Sequence, residues 1–191
     1  MKSTVRLAIL LVVIAPFLQS CIPLIVGAGV GAGVVMAEDR RTSGTILEDQ
    51  TIEIKARNRI EEKHGEKVNV SVTSFNRYVL LTGQAPTEEI RQDVSVLVLE
   101  VPGVRNVQNE VVVGGNSSTT SHATDALLTS RVKGRLSQNK DVGATHVKVV
   151  SENGTVFLMG LVTRAEADSA SQTAATTGGA QRVVKVFEYL D

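Results

Sequence analysis

Two periodicities run through this chain, one of a helix and one of a strand, and they return in the same order. Ile52, Ala56 and Ile60 are apolar at i, i+4 and i+8, the spacing of one helix face. "VNVSV", Val68 to Val72, alternates with period two, as a half-buried strand does. "YVLLTG" follows as a returning strand. "TEEIRQDVSVLVLEV" opens on Thr87, whose hydroxyl suits an N-cap, with acidic residues in the first turn where the helix dipole favours them. "VRNVQNEVVV" closes the set as a strand. The predicted order is αββαβ.

The same order recurs further along. At a shift of 77, Val70, Val72, Val79, Leu81 and Gly83 meet Val147, Val149, Val156, Leu158 and Gly160. After a one-residue gap Gly103, Val107 and Val111 meet Gly179, Val183 and Phe187. Before the first strand the shift is 76, and Ile52, Ala56 and Ile60 meet Leu128, Val132 and Leu136. An internal repeat of this kind defines two units. In the second copy "SENGTV" carries Asn153-Gly154, a strong hairpin signal because both residues tolerate positive φ. Thr163 takes the place of Thr87 as N-cap. Gly83 and Gly160 close apolar strands, where glycine marks a bend or close packing. The expected fold class is α+β: two tandem domains, 46–113 and 124–191, each with two helices on one face of a three-stranded mixed sheet. Residues 114–123, with the polar run "GGNSSTTSH", are expected to be a linker.

The first forty residues follow neither period. Lys2 and Arg6 precede "LAILLVVIAPFL", a twelve-residue apolar core, and Leu7 to Ala37 contains no charge. A bilayer crossing needs about 20 apolar residues, so a charged start and a short core instead indicate a secretory signal peptide. "LQSC", Leu18 to Cys21, resembles a bacterial lipobox. That resemblance implies lipid attachment to the Cys21 thiol and cleavage before it, leaving residues 1–20 as signal peptide. The mature chain would carry 18 basic and 20 acidic residues, net −2. With Ile rather than Asp at position 22, the usual sorting rule for such lipoproteins implies the outer membrane. "VGAGVGAGVV" lacks the preceding strand and following helix of a dinucleotide loop. Residues 21–45 are expected to be a lipidated flexible tether, reaching roughly 25–30 Å as a coil.

Composition narrows the function classes. Basic and acidic residues number 20 each, so no strong field points to nucleic acid. Aromatics make up 3% with no Trp, which disfavours sugar and single-strand stacking platforms. The single cysteine excludes an internal disulfide. His64, His122 and His146 form no metal pair, and no nucleophile stands in register with a base, so neither metal, cofactor nor catalytic residue is expected.

The V-x-V strand, the V-x-L-x-G strand and the glycine turn into the last strand make each copy resemble the BON domain, across nearly the whole chain. Two such domains behind a lipobox are similar to periplasm-facing outer-membrane lipoproteins of the division site. The resemblance implies binding of anionic phospholipid, a role in outer-membrane integrity and a link to the barrel-protein assembly machinery. It places lipid binding on the second domain.

Charge agrees with that placement. Thr45 to Val113 holds 8 basic and 11 acidic residues, net −3, whereas His122 to Asp191 holds 8 basic and 7 acidic, net +1. In "TDALLTSRVKGRLSQ", Leu128, Val132 and Leu136 form the core stripe, and Leu127, Arg131 and Arg135 form the adjacent row. An exposed leucine beside two arginines can dip into lipid while guanidiniums meet phosphates. The expected phospholipid contacts are Leu127, Leu128, Arg131, Lys133 and Arg135. The matching first-domain row, Thr51, Lys55 and Arg59, lacks the apolar tip and has Glu53, Glu61 and Glu62 nearby. The alternative expectation is a periplasmic protein adaptor that needs lipid only as its anchor.

Overall fold

The computed structural model describes residues 39–114, 119–143 and 145–191, which fall in one compact unit. Helix α1 (Ser43–His64) starts at Thr42, whose hydroxyl accepts from the Thr45 N–H, and buries Asp49, Ile52, Ala56 and Ile60. Strands β1 (Asn69–Phe75) and β2 (Tyr78–Ala85) pair antiparallel across an Asn76–Arg77 turn. Helix α2 (Glu88–Leu99) starts at Thr87, which accepts from the Ile90 N–H. The chain returns as β3 (Asn106–Asn109) and β4 (Val112–Val113), two pieces of one strand running parallel to β2. The second copy repeats the plan as α3 (Thr119–Leu136), β5 (Val147–Glu152), β6 (Thr155–Val162), α4 (Arg164–Ala175) and β7 (Arg182–Tyr189). β6 is central, antiparallel to β5 and parallel to β7. The αββαβ order and the mixed sheets agree with the sequence, save that the first copy's last strand is broken in two.

Each copy encloses its own core. Ile52, Ala56, Val79, Leu81, Val94 and Val98 meet between helices and sheet in the first; Leu128, Val132, Val156, Leu158, Ala170 and Ala174 do so in the second. Successive strand residues face opposite ways. Leu80, between Val79 and Leu81, therefore points away from its helices, as Phe157 and Met159 do in the second copy. These three and Phe75 form a third buried cluster, with Val150, Leu161, Val184 and Val186 packed on it. The helix-free faces of the two sheets are thus pressed together, and the layers run helices, sheet, sheet, helices. Runs such as "VLL" and "VFLM" are buried on both sides for this reason.

Polar contacts cross between the copies around this apolar layer. Lys148 Nζ donates to Glu53 Oε1 at 3.0 Å and to the Ser74 carbonyl at 3.1 Å. Arg105 pairs with Glu188 at 3.1 Å and Arg182 with Glu110 at 3.3 Å. The segment entering α1 joins in. Arg40 donates to both carboxylate oxygens of Glu166, at 2.7 and 2.9 Å, and to the Leu161 carbonyl. Arg41 donates to Asp39 and Asp49 and lies 3.9 Å from the Phe75 ring centre.

Two boundaries differ from the sequence expectation. The expected tether, 21–45, gives way by Asp39 to this strap and from Ser43 to helix. Its fixing groups are charged, so no apolar period announced them. The expected linker, 114–123, yields residues 119–123 to α3. The first turns of that helix carry no core stripe. The hairpin turns are held by a buried carboxylate in each copy. Asp49 accepts from the Asn76 and Arg77 N–H groups at 2.9 and 2.7 Å; Asp125 accepts from the Asn153 and Gly154 N–H groups at 2.8 and 3.0 Å. The strand-end glycines are sites of close packing. At Gly83, φ is +112° and an added Cβ would run into the Asn69 carbonyl; at Gly160 it would lie 2.5 Å from the His146 carbonyl oxygen.

Candidate functional site

Helix α3 sorts its side chains by face. Leu128, Val132 and Leu136 are turned into the core, at 2%, 0% and 1% exposure. Leu128 is therefore a core residue and is removed from the expected lipid contacts, because its place on the 128–132–136 stripe points it at the sheet. Leu127, one residue earlier, is 59% exposed. Arg131 and Arg135 follow it along the same row and are exposed. Lys133 stands apart from them: it lines a cleft of about 620 Å³ between the copies, beside Leu136, Ser137 and Lys148. The structure thus brings Leu127, Arg131 and Arg135 together and separates Lys133. Cys21 lies outside the described residues.

The arginines reach across to the C-terminal end of α4. Arg131 Nη1 donates to the Gly178 carbonyl at 3.5 Å. Arg135 Nη1 donates to the Thr173 carbonyl at 3.2 Å and to Thr177 Oγ1 at 3.1 Å. Cations are favoured at a helix C-terminus, where free carbonyls and the dipole present negative charge. Among the described residues neither guanidinium, nor Lys133, has a carboxylate partner. The two arginine charges are held in place without a carboxylate to neutralise them among the described residues. Gly179, with φ +103°, carries the chain past this point, and a Cβ there would lie 3.6 Å from Leu128 Cδ1. Sequence reasoning missed Thr177 and the Gly178 carbonyl, since hydroxyls and carbonyls leave no periodic signal. Near the helix start, burial first and the Asp125 charge second raise the Glu152 carboxyl, opposed by a Gln84 hydrogen bond.

The first copy presents a different surface at the matching place. Thr51, Lys55 and Arg59 form the row, and Arg59 Nη1 makes one long contact, 3.4 Å, to the Leu97 carbonyl. Thr51 and Lys55 border a groove of about 430 Å³ with Leu47, Glu48, Pro102 and Gly103. An apolar tip is present after all, one turn earlier, since Leu47 is 64% exposed. Glu53, expected beside the row, is engaged by Lys148 of the second copy.

Two of the three histidines serve structural contacts: His64 Nε2 lies 2.7 Å from Asp93 Oδ2, and His146 Nδ1 lies 3.1 Å from Glu166 Oε1. Among the described residues no group of three or more His, Cys, Asp or Glu side chains could hold a metal ion. No described helix is long and apolar enough to cross a membrane.

Comparison with known proteins accords with this architecture. The family model described as the BON domain matches residues 48–115 and 124–191. The outer membrane lipoprotein DolP of Haemophilus influenzae is 40% identical over 177 residues, 92% of this chain and 91% of that one. A 21 kDa hemolysin of Actinobacillus pleuropneumoniae is 33% identical over 80% of this chain and 79% of its own. The osmotically-inducible protein Y of Escherichia coli is 26% identical over 80% of this chain and 78% of its own. With both copies matched and the αββαβ plan repeated, the chain belongs to the BON-domain family and carries that domain twice.

Proposed function

We propose that this protein is an outer-membrane lipoprotein, anchored through Cys21 and facing the periplasm, whose second BON domain binds anionic phospholipid. In this role it supports outer-membrane integrity, at division sites and alongside barrel-protein assembly. The lipobox-like "LQSC" and the likeness to an outer membrane lipoprotein support the anchor and its location. One observation carries the lipid reading: Leu127 is exposed in line with two arginines that have no carboxylate partner among the described residues. Each basic residue close to an anionic surface contributes about 1 kcal/mol, and an exposed leucine adds apolar contact at the headgroup boundary. A domain already tethered to the bilayer needs only this weak affinity to choose where on it to sit.

Co-sedimentation of residues 39–191 with vesicles containing phosphatidylglycerol tests the reading. Binding should fall with salt, because surface attraction is screened. Arg131→Glu with Arg135→Glu should weaken it by more than about thirtyfold, the loss of the two attractions alone accounting for about thirtyfold and the two repulsions gained adding to it. Binding untouched by both reversals would remove the site assignment.

The adaptor reading has one observation in its favour. The acidic first domain exposes Leu47, Ile54, Val96 and Leu99 on its helices and Val112 and Val113 on its edge strand. Such a surface suits a protein partner better than an anionic membrane. No salt-sensitive vesicle binding by wild-type protein would favour this second reading.

A further inference from the structure

Thr177 is 4% exposed, a buried hydroxyl in a second-domain position whose first-domain counterpart is Val101, at 2% exposure. Valine fills that position in one copy, so packing alone does not call for a hydroxyl in the other. A hydroxyl buried without partners destabilises; here Oγ1 donates to the Thr173 carbonyl at 2.8 Å and accepts from Arg135 Nη1 at 3.1 Å. The first domain, lacking the hydroxyl, holds its equivalent Arg59 through the Leu97 carbonyl at 3.4 Å and through no other hydrogen bond among the described residues. The copies therefore differ around this row at matched positions that include Thr51 against Leu127, Lys55 against Arg131, and Val101 against Thr177.

Resting on the phospholipid reading above, we infer that Thr177 is the positioning residue of the anion site. Its hydroxyl and the Thr173 carbonyl both accept from Arg135 Nη1. The Nε and Nη2 edge of the guanidinium is left without an acceptor among the described residues. That edge presents two parallel N–H groups, the geometry that meets two oxygens of one phosphate side by side. The ligand class is a phosphodiester monoanion, as in a phospholipid headgroup. A freely rotating arginine would offer the same charge without the fixed fork.

The test uses residues 39–191, which enclose their own cores, with phosphatidylglycerol vesicles and phosphatidylcholine vesicles as the uncharged control. Thr177→Val should weaken binding to the anionic vesicles about fivefold, equivalent to about 1 kcal/mol. Its melting temperature should hold, as Val101 fills the matching position. Thr177→Ser should retain wild-type binding, Thr177→Ala should behave as Thr177→Val, and Arg135→Lys should not substitute for arginine. On an Arg135→Ala background, Thr177→Val should have no further effect. Wild-type binding by Thr177→Val and Thr177→Ala, or additive losses with Arg135→Ala, would overturn the positioning role while leaving the lipid reading intact. Absence of any preference for anionic vesicles in the wild type would overturn both.

Discussion

Leu80 discriminates between two packed domains and two independent ones. It is fully buried, but by the other domain: its side of the sheet meets Phe157 and Met159. Leu80→Ala removes three carbons from this layer, worth about 2.4 kcal/mol in transfer at roughly 0.8 kcal/mol each. A residual cavity adds to that, so the expected loss is about 3 kcal/mol, within the range of buried leucine truncations. Leu81→Ala, beneath the domain's own helices, serves as the internal reference and should cost a similar amount. Urea unfolding of residues 39–191, followed by far-ultraviolet circular dichroism, measures both. One shared transition is expected, because the apolar layer couples the copies. If the domains were beads on a string, Leu80 would face solvent and its truncation would cost less than ~0.5 kcal/mol. That small value, alongside an undiminished cost for Leu81→Ala, would refute the sheet-on-sheet arrangement.

Two further predictions concern the polar anchors. Asp49→Ala should destabilise by about 3 kcal/mol, since it strands the buried Ser74 hydroxyl and the part-buried N–H groups of Asn76 and Arg77 and leaves Arg41 with Asp39 alone, and Asp125→Ala should cost less because it strands two N–H groups; equal, negligible costs in urea titrations would count against turn-capping by these carboxylates. The strap is pH-dependent in a defined sense. Hydrogen bonding by Arg40 first, and by the Thr163 N–H and His146, holds the Glu166 carboxyl at about 2, below its ordinary 4.5. A depressed carboxyl stabilises the fold fully above its unfolded value and loses that contribution as pH falls through the folded one. The stability difference between wild type and Arg40→Ala should therefore be largest at neutral pH and close between pH 4.5 and 2; a difference that does not change over that window would show that the ion pair is not its source.

Much of each domain was legible from the chain. The helix stripes Ile52–Ala56–Ile60 and Leu128–Val132–Leu136 are buried as their spacing requires. Thr87 and Thr163 cap helices, and Asn153-Gly154 turns a hairpin with φ of 48° and 72°. The row Leu127–Arg131–Arg135 was also readable, because a helical period of 3.6 places i and i+4 side by side whatever lies around them. These are local properties, set by backbone geometry and by hydrogen bonds within a few residues.

What those faces meet is not local. A buried strand face looks the same in sequence whether a helix or another sheet covers it, so the apolar runs of β2 and β6 did not say that the two domains join there. Nor does periodicity carry the reach of a charged side chain. Arg40 finds Glu166 across 126 residues, Arg135 finds Thr177 across 42, and Lys133 turns to the cleft rather than to its neighbouring arginines. Sequence alone determined two αββαβ domains, an exposed basic row and a lipobox-like start. Tertiary structure decided that the sheets pack face to face, that Lys133 lines the cleft, and that α4's last carbonyls hold the arginines, since each depends on which distant groups the folded chain brings within hydrogen-bond or van der Waals reach.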